Sequence, residues 1–177
     1  EIELAFRKAL ENHALKEEVV NLRGRVRSEV DDMLLGGDNP KMKEVREVIE
    51  QVADTDITVL VRGESGTGKE LVARAIVRGS TRARRAFVRF NCAALHRDLA
   101  EAELFGHTRG AFTGAHAARK GLFREADSGT LLLDEISEMP MSLQAKLLRA
   151  LQEKAVTPIG SQTDIPVDVR VVATTNR

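Results

Sequence analysis

Cysteine occurs once, at Cys92, so the chain can close no internal disulfide and can build no cysteine-based zinc site. Net charge is also missing. Its 27 lysines and arginines balance 27 aspartates and glutamates, so no overall field steers the molecule toward nucleic acid. Any DNA contact is expected to lie outside these residues. No apolar run approaches the roughly 20 residues that cross a bilayer, so no membrane partner is expected. The chain does not open on a basic stretch followed by an apolar one, and nothing points to secretion. With 42% apolar and 31% charged residues the composition is globular rather than disordered. A length of 177 residues suffices for one domain with a real core plus an appendage. These absences leave a soluble cytoplasmic α/β domain as the expectation.

What is present falls into two parts. Residues 1–33 contain no proline, one glycine (Gly24) and many charges at helical spacing. Leu15, Val19, Leu22 and Val26 follow a 4-3-4 apolar rhythm, the seam of a short coiled coil, so a helical linker that dimerises the chain is expected there. The turn-rich segment Leu35-Gly36-Gly37-Asp38-Asn39-Pro40 then puts a domain boundary near residue 34. A helix is predicted from Lys41 to Ala53, with Met42, Val45, Val48, Ile49 and Val52 on one face. Beyond it strands and helices alternate: strand Ile57–Val61, helix Glu70–Val77, strand Ala86–Phe90 and helix Leu99–Phe105. Strand Thr130–Leu133 follows, then a helix faced by Leu143, Leu147, Ala150 and Leu151 and capped by Ser142, and strand Val167–Thr174. Such alternation implies a parallel sheet covered by helices, with ligands at the strand ends.

After the first strand comes Gly63-Glu64-Ser65-Gly66-Thr67-Gly68-Lys69-Glu70, followed by an amphipathic helix. Strand, glycine loop and helix in that order make a phosphate-binding loop. Glycines let backbone N–H groups turn onto phosphate oxygens, and the helix N-terminus adds its dipole. Lys69 is expected to reach the β- and γ-phosphates of ATP. Glu70 stands where Ser or Thr usually holds Mg²⁺. That departure puts a direct magnesium contact in question, although a carboxylate can serve a hard cation directly or through water. A glycine-rich turn with a surface lysine is the plain alternative, and the flanking elements argue against it.

Leu131-Leu132-Leu133-Asp134-Glu135 sets two carboxylates at the end of a buried strand. Beside a phosphate loop, Asp134 fits the acid that holds the Mg²⁺ shell and Glu135 the one that polarises the attacking water. Asn91 ends one strand, and Thr175 and Asn176 end another. An Asn at a strand end is commonly a turn former, so spacing leaves their roles undecided.

Glu103-Leu104-Phe105-Gly106-His107 and Gly110-Ala111-Phe112-Thr113-Gly114-Ala115 carry a sharper signal. With them, and with the phosphate loop ending in Glu70, the sequence from about Leu35 to Arg177 resembles the AAA+ central domain of NtrC-type bacterial activators that work with sigma-54. The six residues Gly110–Ala115 match that family's GAFTGA loop without a change. The resemblance implies a three-layer αβα P-loop AAA+ fold with a central parallel sheet, preceded by a long N-terminal helix. It implies an ATPase using ATP and Mg²⁺, whose Gly110–Ala115 loop touches sigma-54 and remodels its RNA polymerase holoenzyme toward the open complex. By resemblance Asn91 restrains the catalytic Glu135, Thr175 and Asn176 sense the γ-phosphate, and Val156–Pro166 is a second insertion that moves with the first. The family often has an arginine before a Gly-Gly pair there; this chain reads Pro158-Ile159-Gly160-Ser161, so that role is not carried over.

The same resemblance places an arginine finger, a helical lid and an enhancer-DNA-binding domain beyond Arg177. It makes residues 1–33 a linker, residues 34–177 the ATPase subdomain, and the active assembly a hexameric or heptameric ring. The isolated chain is then expected to bind nucleotide and hydrolyse it slowly. Two alternatives stand beside this: an AAA+ remodeller of another protein, and a non-hydrolysing, nucleotide-sensing dimerisation fragment.

Overall fold

The computed structural model describes residues 39–94 and 97–177. The expected linker helix, its boundary near residue 34 and the seam Leu15, Val19, Leu22 and Val26 lie outside the described residues. The chain divides into two units, Glu1–Arg46 and Glu47–Arg177, and of the first only residues 39–46 are described. Helix α1 spans Pro40–Ala53. The Asn39 side-chain oxygen caps its start by accepting the Lys41 N–H at 3.0 Å.

The second unit is built on strands β1 (Val59–Arg62), β2 (Phe87–Asn91), β5 (Thr130–Asp134) and β8 (Arg170–Thr175), all parallel in the order β1-β8-β5-β2. The two central strands carry apolar stretches, Leu131–Leu133 and Val171–Ala173, because both their faces are covered. Leu131, Leu132, Leu133 and Val172 are no more than 1% exposed. On the edge strand β1 burial alternates, and Leu60 stays open.

Helix α2 (Lys69–Arg78) packs across β1, β8 and β5, burying Ala73, Ile76 and Val77. Helices α3 (Arg97–Phe105), α4 (Leu122–Glu125) and α5 (Met141–Glu153) share a second core with Leu131, Leu133, Val171 and Ala173. There the rings of Phe105 and Phe123 stack at 5.6 Å and 10°. Each fully buried aliphatic side chain contributes about 1.5–3 kcal/mol before entropy is counted. Two short antiparallel ribbons complete the unit, β3 (Gly106–His107) with β4 (Arg119–Lys120) and β6 (Ala155–Val156) with β7 (Ile165–Pro166).

Three local expectations are corrected. Ser142 does not cap α5: the helix starts at Met141 after Pro140, and Ser142 sits exposed inside the first turn, where the Leu143 and Gln144 amides already bond to Pro140 O. Val48 does not join the buried face of α1, being 55% exposed while Ile49 is buried. β8 begins at Arg170 rather than Val167, because Val167 N–H is taken by Lys154 O and Asp168 N–H by the Asp127 carboxylate, and only Arg170 N–H starts the ladder on Gly129 O.

Candidate functional site at the C-terminal edge of the sheet

Parallel register brings four strand ends to one edge of the sheet. Arg62 pairs with Thr175, Asn91 pairs with Asp134, and Leu133 pairs with Ala173, so Asp134 stands level with Thr174. Loops that leave this edge carry the chemistry-bearing residues.

The loop after β1 is tied to β8 at its root, where Gly63 N–H donates to Thr175 O at 3.2 Å. Glu64, Ser65, Gly66 and Thr67 form its exposed crest. The Thr67 hydroxyl donates back to Glu64 O at 2.8 Å, and Gly68, at φ 86°, turns the chain into α2. Lys69 projects from the first turn of that helix and is only 9% exposed. Its Nζ donates to the carbonyls of Gly63 and Glu64 at 2.9 Å each, which closes the loop around it. The same ammonium lies 3.7 Å from Glu135 Oε1. The ammonium therefore stands between two loop carbonyls and the Glu135 carboxylate.

Asp134 ends β5, and Glu135 follows in a left-handed conformation, φ 52° and ψ 53°. Few non-glycine residues adopt that backbone, which re-aims the chain sharply into the 3₁₀ turn Ile136–Glu138. Glu135 Oε2 is buried with no hydrogen-bond partner. The Thr174 hydroxyl donates to Asp134 Oδ1 and accepts the Glu135 N–H at 3.2 Å. Neighbouring acids with oxygen donors alone suit Mg²⁺, which takes one or two carboxylates and leaves its other positions to phosphate and water. Among the described residues no group of three or more His, Cys, Asp or Glu could hold a metal ion.

Glu70, the other acid of the loop, is engaged elsewhere. Its Oε1 accepts from Arg74 at 2.6 Å and from Arg89 of β2 at 2.5 Å. These guanidinium groups, Arg74 first, hold its pKa below the ordinary carboxylate value against the opposing effect of partial burial. The Asn91 side-chain oxygen accepts the Ala93 N–H at 2.8 Å, the turn-forming bond typical of its residue type. Thr175 is buried and its Oγ1 accepts the Arg177 N–H at 3.2 Å, while Asn176 is exposed.

The segment Gly110–Ala115 forms a compact loop, closed by Gly110 N–H to Ala115 O at 2.8 Å and Ala115 N–H to Phe112 O at 3.0 Å. Gly110 and Gly114 have φ of 78° and 100°, and an added Cβ at either would meet nothing within 4 Å. Phe112 is 40% exposed and leans on His107, ring centroids 5.0 Å apart at 59°. Ala115 is buried at the base, and Thr113 is open to solvent. The segment after β6 docks on this base. Ile159 N–H donates to Gly106 O at 2.9 Å, and Thr108 N–H donates to Ile159 O at 3.0 Å. Gly160 approaches Thr108 and Ala111 so closely that a Cβ would lie 2.5 Å from the Thr108 hydroxyl.

Three participants escaped the sequence reading: Thr174, hidden as the polar end of an apolar strand; Arg89, unremarkable on β2; and the ring contact of His107 with Phe112. The first two act on residues 40 and 19 positions away, and the third joins residues five apart that only the fold of the loop brings ring to ring.

Comparison with known proteins agrees with this geometry. Residues 35–177 match the family described as the Sigma-54 interaction domain. The Nif-specific regulatory protein of Klebsiella pneumoniae is 57% identical over 141 residues, 80% of this chain and 27% of that protein. Regulatory protein AtoC of Escherichia coli (strain K12) is 47% identical over 177 residues, 100% of this chain and 38% of that protein. The crystal structure of NtrX from Brucella abortus in complex with ADP superposes with a TM-score of 0.74 at 36% identity, covering 92% of this chain and 35% of that one. The chain thus spans less than two-fifths of the length of these relatives. A parallel-sheet P-loop fold, an intact Gly110–Ala115 loop and a match over residues 35–177 together show that the chain belongs to the Sigma-54 interaction domain family, the AAA+ central domain of NtrC-type transcriptional activators.

Proposed function

We propose that this chain binds and hydrolyses ATP at the Gly63–Glu70 loop and uses the state of the γ-phosphate to set the posture of the Gly110–Ala115 loop against sigma-54. In the parent protein that motion remodels the sigma-54 RNA polymerase holoenzyme and promotes the open complex, in a ring of subunits. The relatives are regulatory proteins, and NtrX has been solved with ADP and with ATP, which supports nucleotide as the ligand here. The observation that carries the reading is Lys69 held in its loop beside Glu135 at the sheet edge.

The roles follow from chemistry. Lys69 moves from carbonyl partners to phosphate oxygens, a better match for its charge. Glu135, with a buried oxygen that lacks a donor, orients the attacking water and takes up its proton. Asp134 would hold Mg²⁺, with Glu70 contributing only through water because two arginines occupy it. Magnesium, when bound, neutralises charge that builds on the phosphates. Asn91 restrains Glu135 until the partner is engaged, and Thr175 and Asn176 report the γ-phosphate. Phe112 and Thr113 supply the apolar and hydrogen-bonding contacts to sigma-54. Residues 1–33 serve as a linker that pairs subunits through Leu15, Val19, Leu22 and Val26.

Capture of sigma-54 by the chain, with ATP or a transition-state mimic present, is the direct test. Capture that depends on nucleotide and disappears in Thr113→Ala is expected. Nucleotide affinity unchanged by Lys69→Ala would remove the foundation of the reading.

A further inference from the structure

We propose that Thr174 is a positioning residue for the metal-bound nucleotide: its hydroxyl sets the side chain of Asp134 and the backbone of Glu135 before the ligand arrives. The proposal rests on the reading of Asp134 as the acid that meets Mg²⁺, and deepens it.

Thr174 has 0% exposure, in a strand whose preceding residues are Val171, Val172 and Ala173. Valine has the same shape and would fill that position without burying a polar atom. A buried hydroxyl is costly unless it is bonded, so its presence is informative only through its partners. Both partners belong to the acidic pair. The hydroxyl donates its one proton to Asp134 Oδ1, and a lone pair receives the Glu135 N–H at 3.2 Å. One atom thereby closes a bridge from the central strand to two successive residues of the neighbouring strand end.

Each bond answers a specific need. The aspartate carboxylate would otherwise sample several rotamers, and a cation would have to order it on arrival. Glu135 occupies a left-handed backbone, φ 52° and ψ 53°, that a non-glycine residue holds only when its surroundings over-determine it. The bond from its N–H to Thr174 is one such restraint, and the Cys92 N–H to Asp134 O bond at 2.9 Å is another from the opposite side. Thr174 is well suited to impose them. β8 pairs with β1 on one side and β5 on the other, so the hydroxyl stands on a strand held along both edges.

Groups that orient a metal ligand from behind typically change metal affinity by about 10–100-fold when removed. The test is a titration of the intact chain with a fluorescent ATP analogue, with and without Mg²⁺, reading the factor by which magnesium tightens binding. Thr174→Val is expected to cut that factor by on the order of tenfold and to leave affinity without magnesium unchanged, while Thr174→Ser retains the wild-type factor. A factor unaltered in Thr174→Val, or equally reduced in both variants, overturns the proposal, since shape rather than the hydroxyl would then decide. Asp134→Asn in the same titration separates the two layers. If it keeps the full magnesium factor, the underlying assignment of Asp134 fails. If it loses the factor while Thr174→Val keeps it, only the role of Thr174 fails. Should a thermal melt show that Thr174→Val does not fold, Thr174→Ala takes its place with the same expected and overturning results.

Discussion

Cys92 is 5% exposed just after β2, where its thiol loses hydration and lies near the Asp134 carboxylate. Burial first, and that negative charge second, push its pKa up to about 12. The thiolate is the reactive form, so native protein at pH 8, holding on the order of a thousandfold less of it, is expected to alkylate correspondingly more slowly than unfolded protein. Iodoacetamide labelling followed by mass spectrometry checks this, and equal rates in buffer and urea would contradict it. Folding favours the protonated thiol, so its contribution to stability is complete below the unfolded pKa of about 8.5 and is lost as pH rises toward 12. Glu70 has the opposite sign. Its depressed pKa means that the arginine contacts stabilise the fold above the ordinary carboxylate range, and that this contribution disappears as pH falls through the lowered value. An NMR titration should find the Glu70 midpoint below that of a free glutamate, and Arg89→Ala should move it upward.

At the level of elements, close approach matters more than glycine freedom. A Cβ on Gly121 would sit 2.3 Å from the backbone of Phe105 and Gly106, where the start of α4 passes the α3–β3 junction. Backbone cannot yield as a side-chain tip can, so Gly121→Ala is expected to destabilise the fold by about 3 kcal/mol, read as a lower denaturant midpoint. Gly110→Ala meets no neighbour, and only its φ of 78° opposes it, a local cost of about 1–2 kcal/mol. A similar loss at both positions would contradict the distinction. His107→Ala removes the ring on which Phe112 leans, so faster protease cleavage within Gly110–Ala115, with the melting temperature almost unchanged, is the expected result. The contrast separates a loop that is loosely latched from a junction that is sterically closed.

Across the whole molecule, Arg170 joins elements that the sequence keeps far apart. Its side chain, 2% exposed at the start of the central strand, donates to Val52 O at 2.6 Å and Ala53 O at 2.5 Å, the last carbonyls of α1. Burial lowers its pKa, against the opposing charge of Asp56. Arg170→Leu fills the space and leaves those carbonyls bare, so a loss of about 2–4 kcal/mol is expected in equilibrium denaturation. A neutral substitution would mean that water replaces the guanidinium.

The sequence by itself determined the strand-and-helix alternation, the phosphate loop, the acidic pair and the Gly110–Ala115 loop. Each is written in contiguous residues, through short-range periodicity or a fixed spacing. Element ends were less legible. The true start of β8 depends on which distant groups take the amides of Val167 and Asp168. Only the tertiary structure decided that Glu70 is held by Arg89, that Gly160 seats against Thr108, and that the Thr174 hydroxyl bridges to Asp134 and Glu135. Those contacts join residues brought together by parallel register and side-chain packing, and a buried threonine in an apolar strand looks like a valine until the neighbour that receives its proton is known.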